Sequence, residues 1–183
     1  MSARAQHIAT EAARLFAERG YGATSVDDIG AAVGVSGPAI YWHFASKQAM
    51  LAAILTDISE RLLAGGTECV AAAADDADAI QRLVAQQVEF ALREPDLIVV
   101  HTRELHHLDA DDAHRVRLLQ RQYVDVWVNA LEAGLPGVPR TRIAAGVQAA
   151  IGLVNSTPYL GRVDRAALKP MLTRMATAAL DAI

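Results

Sequence analysis

The sequence predicts an all-α protein of about nine helices. Alanine, the best helix former, supplies 37 of its 183 residues, while aromatic residues make up 5%. Apolar residues recur mostly at the three- and four-residue spacing of a helix face. No stretch alternates in the manner of a half-buried strand. The content of 52% apolar and 21% charged residues excludes a disordered chain. The length suits one domain or two small ones, burying roughly two-thirds of the unfolded surface.

The first helix carries Ile8, Ala12, Leu15 and Phe16 on one face and should stop at Gly20, a good C-terminal cap. Short helices are expected from Val26 to Val33 and from about Gly37 to Phe44, with a break at Gly34. A longer helix starts near Lys47, with Leu51, Ile54, Leu55, Ile58 and Leu62 inward, and Gly65-Gly66 should weaken or end it. Ala71 to Ala77 reads equally as helix or loop. Five more helices follow: about Asp78 to Arg93, Pro95 to His107, Ala110 to Ala133, Arg140 to Ser156 and Asp164 to Leu180. Gly134, Pro136, Gly137 and Pro139 form a loop, and Pro158 helps to stop the helix before it.

Residues 24 to 47 carry the informative motif. Two short helices joined by a turn containing glycine make a helix-turn-helix. Thr24 or Ser25 can cap the first helix, with Asp27 and Asp28 in the first turn, where the helix dipole favours carboxylates. Ile29 and Val33 form its inner face, and Val35 plugs the angle between the helices. Gly34 can take the positive φ of a sharp turn. Ser36 caps the second helix, and Pro38 sits in its first turn, where a missing N–H costs little. Ile40 and Phe44 point to the core, leaving Gly37, Ala39, Trp42 and His43 outward and Tyr41 at the edge. Such a second helix lies in the major groove of double-stranded DNA and presents its N-terminal residues to base edges.

The stretch from Phe16-Ala-Glu-Arg-Gly-Tyr through Thr24-Ser25-Val26, Gly34-Val35-Ser36, Ile40-Tyr41, His43-Phe44 and Ser46-Lys47 strongly resembles the N-terminal domain of the TetR family. The resemblance covers about residues 8 to 55. It implies a homodimeric regulator acting as a repressor at a palindromic DNA operator. Residues 1 to 46 would form the DNA-binding domain and 47 to 183 the effector-binding and dimerisation domain. Position by position, it makes Thr24, Tyr41, His43 and Lys47 phosphate contacts, and Ser36, Gly37, Pro38, Ala39 and Trp42 the groove-facing surface. Phosphate contacts fix register and base-edge contacts specify sequence. Gly37 stands where many members carry Lys or Arg, and Gly30 where alanine is usual. The resemblance also implies that an effector moves the helix starting at Lys47, changing the separation of the two recognition helices.

The charge of this region is balanced. Residues 1 to 50 hold Arg4, Arg14, Arg19 and Lys47 against Glu11, Glu18, Asp27 and Asp28. The whole chain carries a formal charge of −4. DNA affinity comes largely from neutralised phosphates, so few ionic contacts per subunit are expected, helped by backbone N–H groups at helix starts.

Elsewhere, Val116, Tyr123 and Trp127 form a helical stripe that reads as core or as the wall of an effector pocket. Arg115, Arg117 and Arg121 on the same helix read as a solvated face or as a site for an anionic group. The segment Arg103 to Trp127 resembles, more loosely, regulators of fatty-acid, sterol and aromatic-acid breakdown that respond to acyl-coenzyme A thioesters. On that likeness Val116, Tyr123, Trp127 and Ile151 would line an acyl slot, Arg117 and Arg121 would meet phosphates, and Asn155 or His101 would hold the carbonyl. The small residues Ala144, Ala145, Gly146, Ala149, Ala150 and Gly152 allow close helix approach, and the resemblance places a four-helix dimer interface there, with the last helix.

Two other readings compete. His101, Glu104, His106, His107 and His114 are dense in metal-ligand types, which would suit a small helical hydrolase, but His101, Glu104 and His107 do not share one helical face. The paired-histidine zinc motif needs a spacing of four with an adjacent glutamate. A helical interaction module without DNA binding is the other. No phosphate-binding glycine loop or dinucleotide fingerprint appears, so neither cofactor nor metal is expected. With Cys69 alone, no intramolecular disulfide forms. No apolar run is long enough for a membrane and no signal-peptide core leads the chain, so a cytoplasmic protein is expected.

Overall fold

The computed structural model describes residues 1–161 and 163–183. Among these it contains nine α-helices, two single-turn 3₁₀ helices and no strand. The helices are α1 (Ala3–Arg19), α2 (Val26–Ala32), α3 (Gly37–Ile40), α4 (Lys47–Ala71), α5 (Asp76–Arg93), α6 (Pro95–Arg103), α7 (Ala110–Glu132), α8 (Arg140–Val154) and α9 (Arg165–Asp181). They pack into two compact units, Met1–Ile58 with Asp96–Arg117, and Ser59–Pro95 with Leu118–Ile183. The boundary expected after residue 46 therefore falls inside the first unit. No helix of the described residues is long and apolar enough to cross a membrane.

In the first unit, Ile8, Ala12, Leu15 and Phe16 of α1 are buried as the periodicity requires. Gly20 ends α1 with φ +84°, its N–H donating to Phe16 O at 2.9 Å. Ile29, Val33, Ile40 and Phe44 complete the headpiece core, joined by Leu51, Ile54, Leu55 and Ile58 from α4 and Ile98 to Val100 from α6. The second unit is a layer of α5, α8 and α9 with the ends of α4 and α7. Its buried side chains include Leu83, Val84, Val88, Trp127, Ile143, Val147, Leu172 and Leu180. Asp75 caps α5 by accepting from Asp78 N–H at 2.8 Å, and Asp164 caps α9 by accepting from Ala166 N–H at 3.2 Å.

Several element boundaries differ from the sequence reading. The second motif helix stops at Ile40, not Phe44. Tyr41, Trp42 and His43 N–H groups bond three residues back, to Pro38, Ala39 and Ile40, which tightens the chain into turns. The aromatic run here has only modest helix propensity. The helix expected to reach His107 ends at Arg103, and Leu105–His107 is a separate 3₁₀ turn. Likewise α8 stops at Val154, with Pro158 inside the 3₁₀ turn Thr157–Tyr159. Residues 72 to 75 are loop, and α5 starts at Asp76.

Gly65-Gly66 does not end α4, which continues to Ala71. The pair serves packing. A Cβ at Gly66 would lie 2.8 Å from Tyr123 Cε2, and one at Gly65 would meet Gln86 Nε2. Tyr123 cannot swing aside cheaply, because its hydroxyl donates to Gln87 Oε1 at 2.9 Å. Gly66→Ala should therefore lower the melting temperature. Overpacking costs about 1–3 kcal/mol, against a helix-propensity gain of about 1 kcal/mol. A raised melting temperature would show that the glycine is not there for close approach.

Candidate functional site

The helix-turn-helix is built by local chemistry. Ser25 Oγ accepts from Asp28 N–H at 3.0 Å, while the Asp28 carboxylate accepts from Ser25 N–H at 2.8 Å, closing a capping box on α2. Hydrogen bonds from the Ser25 hydroxyl and then from its backbone N–H hold the Asp28 carboxyl below the usual carboxylate range. The turn passes through Gly34 with φ +72°. Val35 N–H then donates to Gly30 O at 2.9 Å. A Cβ at Gly30 would stand 2.8 Å from Val35 O and 2.9 Å from Gly37 N, so the missing side chain lets the turn close against α2.

What this geometry leaves outside is an aromatic edge. Trp42 is 86% exposed and Tyr41 53% exposed, and His43, Pro38 and Ser36 are exposed beside them. Ala39 is half-buried. An exposed tryptophan beside an exposed tyrosine forms the kind of apolar patch that marks an interaction surface.

Three sequence-assigned residues are placed differently, and a fourth, Ser36, lacks the expected cap bond. Thr24 is 1% exposed, and its hydroxyl donates inward to Gly20 O at 2.9 Å and to Leu15 O at 3.3 Å. It is a clasp between the end of α1 and the start of α2. Lys47 also turns inward. Its Nζ donates to Tyr21 O and Thr24 O, 2.8 Å each, and lies 4.1 Å from the centre of the Tyr21 ring. Gly37 is buried, because the Asp27 carboxylate occupies the space beside it. Ser36 stands at the cap position of α3, yet its side chain makes no cap hydrogen bond.

Sequence reasoning missed how the other cations are used. Arg4 Nη2 donates to Val33 O at 3.1 Å, tying α1 to the end of α2. Arg14 pairs with Glu11 and Glu18 along α1, at 3.0 and 2.8 Å. Arg19 lies 3.8 Å from Asp28. Also missed was a ring stack behind the motif. Tyr21 lies 5.3 Å from the Phe16 ring and 4.7 Å from the His107 ring. His107 Nε2 is 3.3 Å from the Glu104 carboxylate, and the His107 carbonyl accepts from Gln48 Nε2 at 2.9 Å. Such contacts depend on a fold that joins Tyr21 to His107, 86 residues apart, and leave no local pattern. Among the described residues no group of three or more His, Cys, Asp or Glu side chains could hold a metal ion.

The effector candidates divide between the units. His101, Val116 and Arg117 belong to the first. Burial pushes His101 down to about 4, so its imidazole is neutral near pH 7. Val116 is fully buried and Arg117 exposed. Arg121, Tyr123, Trp127, Ile151 and Asn155 belong to the second. There Tyr123 O–H donates to Gln87 Oε1 at 2.9 Å, and Gln87 Nε2 donates to Asn155 Oδ1 at 2.8 Å. Trp127 meets Tyr123 edge to face at 6.1 Å, with its Nε1–H buried beside it. Arg121 is exposed and Ile151 half-buried.

Comparison with known proteins fits this architecture. The family model for bacterial regulatory proteins of the tetR family matches residues 8–54, and that for the tetracyclin repressor-like C-terminal domain matches residues 73–158. The chain belongs to the TetR family. It is 32% identical over 135 residues to the HTH-type transcriptional repressor KstR2 of Rhodococcus jostii (strain RHA1), covering 73% of this chain. The chain spans 66% of the length of that relative. A TetR-family regulator from Bordetella parapertussis 12822 superposes with a TM-score of 0.85 at 24% identity, covering 96% of this chain and 95% of that one. AibR, in a complex with isovaleryl coenzyme A and operator DNA, superposes with a TM-score of 0.78 at 20% identity, covering 94% of this chain and 97% of AibR. The family is one of transcriptional regulators, not enzymes.

The placement of Thr24 gives a test. Thr24→Val keeps its shape but leaves the Leu15 and Gly20 carbonyls without that donor. It should cost about 1 kcal/mol or more of stability, read by thermal or urea unfolding. A variant as stable as the parent but defective only towards DNA would restore the phosphate-contact role.

Proposed function

We propose that the protein is a transcriptional repressor that binds a palindromic operator as a homodimer and is released by a small-molecule effector. The exposure of Tyr41, Trp42 and His43 on one edge of a helix-turn-helix carries this reading. Residues 1 to 46 supply the DNA contacts, and the remainder supplies the effector site and the dimer. Because Arg4, Arg14, Arg19 and Lys47 are engaged within the chain, phosphates are met by the Tyr41 hydroxyl, His43 and backbone N–H groups. Pro38, Ala39 and Trp42 face the groove.

The inward bonds of Lys47 support a route for the effector signal. The first residue of α4 is fastened to the carbonyls that frame the start of α2. A displacement of α4 would carry the headpiece with it. Two recognition segments must lie about 34–36 Å apart to read successive major grooves. A coupling of about 1–3 kcal/mol suffices for a 5- to 150-fold change in affinity.

For the effector, an acyl-coenzyme A thioester fits the second unit best. Trp127 Nε1–H and the Asn155 amide NH₂ are donors suited to a carbonyl oxygen, Ile151 adds apolar surface, and Arg121 is an exposed cation suited to phosphate. AibR, a structural neighbour, is complexed with an acyl-coenzyme A.

For the dimer, α8 exposes Ala145, Ala149 and Gly152, and α9 exposes Met175 at 46%. A Cβ at Gly152 would meet nothing within 4 Å in its own chain.

Two outcomes are expected. Tyr41→Ala and His43→Ala should fold as the parent and bind less tightly by a similar factor across operator variants, whereas a larger polar residue at Trp42 should change sequence preference. Parent-like DNA binding by both alanine variants in a mobility-shift assay would defeat the docking. Gly152→Glu should leave helicity intact and shift sedimentation from dimer to monomer, since the new charge disturbs only a partner copy. A parent that sediments as a monomer at micromolar concentration would defeat the two-half-site reading.

A further inference from the structure

We infer that Asp27 is a specificity determinant that selects a cytosine in each operator half-site. The inference rests on the DNA-binding reading of this surface.

Asp27 is the second residue of α2, yet its carboxylate lies against the first residue of α3. Its Oδ1 fills the place where a Cβ at Gly37 would stand, and its Cγ is 2.9 Å from that point. The carboxylate thus takes the place of a side chain at the head of the recognition segment, between the exposed Ser36 and Pro38. Asp27 is exposed. It is not needed for capping, which Ser25 and Asp28 perform. Among the described residues, its side chain takes part in no hydrogen bond or ion pair. Arg19, the nearby cation, faces Asp28.

An ionised carboxylate only accepts hydrogen bonds. Phosphates repel it, so any attraction at this place must come from a base edge. In the major groove guanine offers two acceptors, and thymine one acceptor and a methyl group. Adenine sets its single donor beside an acceptor, while cytosine presents the N4 amino donor, the usual partner of Asp and Glu. A carboxylate at the head of the recognition segment therefore favours a C·G pair and penalises the others. Gly37 makes this possible, since any side chain there would collide with the carboxylate or displace it.

The test is selection of bound sequences from a random-sequence double-stranded DNA library by the full-length parent and by Asp27→Asn. The amide of this variant would keep the shape of the carboxylate and pair with adenine N6 and N7. A melting curve first shows that the variant folds. The parent should enrich a palindrome with cytosine at one fixed position per half-site. The variant should keep the rest of the motif and exchange cytosine for adenine there. Substituting that base pair should weaken the parent about tenfold, and the variant not at all. Identical motifs from both proteins, or a parent motif without such a cytosine, would overturn the inference while leaving DNA binding intact. Failure of the parent to enrich any sequence would overturn the DNA-binding reading itself, and this inference with it.

Discussion

The close crossing of α2 and α3 is the constraint on which the candidate DNA surface depends. Backbone meets backbone there, with Val35 N–H bonded to Gly30 O at 2.9 Å and no room for a Cβ at Gly30. Gly34 adds the positive φ that turns the chain so sharply. Ile29, Val33, Ile40 and Phe44 are buried as a result, and the opposite edge has nowhere to go but solvent.

The second organising feature is how charge is used. A DNA-binding headpiece with as many carboxylates as cations would ordinarily lack the long-range attraction that drives association. Here the cations act as fasteners. Arg4 holds the end of α2 and Lys47 holds the turn between α1 and α2. The headpiece is made rigid by groups that a basic domain would aim at phosphates. On the proposed reading, DNA contacts depend on backbone N–H groups, hydroxyls and shape, with a weak dependence on salt because few counterions are released.

Much of the fold is legible in the sequence because it is local. The burial of Ile8, Leu15 and Phe16, the stop at Gly20 and the turn at Gly34 each follow from helix periodicity or from one residue's backbone freedom. The illegible parts depend on distant neighbours. Gly65-Gly66 looks like a helix breaker until Tyr123 and Gln86 are placed against it. Thr24 and Ser25 are equal candidates for a cap until the Leu15 and Gly20 carbonyls draw the threonine inward. The burial of Gly37 depends on which way Asp27 turns, which no periodicity encodes. The candidate effector residues show the same limit. That Tyr123, Gln87 and Asn155 form one hydrogen-bonded chain follows only from the packing of α5, α7 and α8.

On the proposed docking, the edge carrying Trp42 is the surface that meets DNA. The protein has two tryptophans, one 86% exposed and the other, Trp127, buried. Acrylamide quenching of tryptophan emission therefore reports Trp42. It should be measured with and without saturating duplex from the region upstream of the protein's own gene, with binding followed in parallel by mobility shift. The quenchable fraction should disappear when the shifted complex forms. A shifted complex in which Trp42 stays fully quenchable would contradict it.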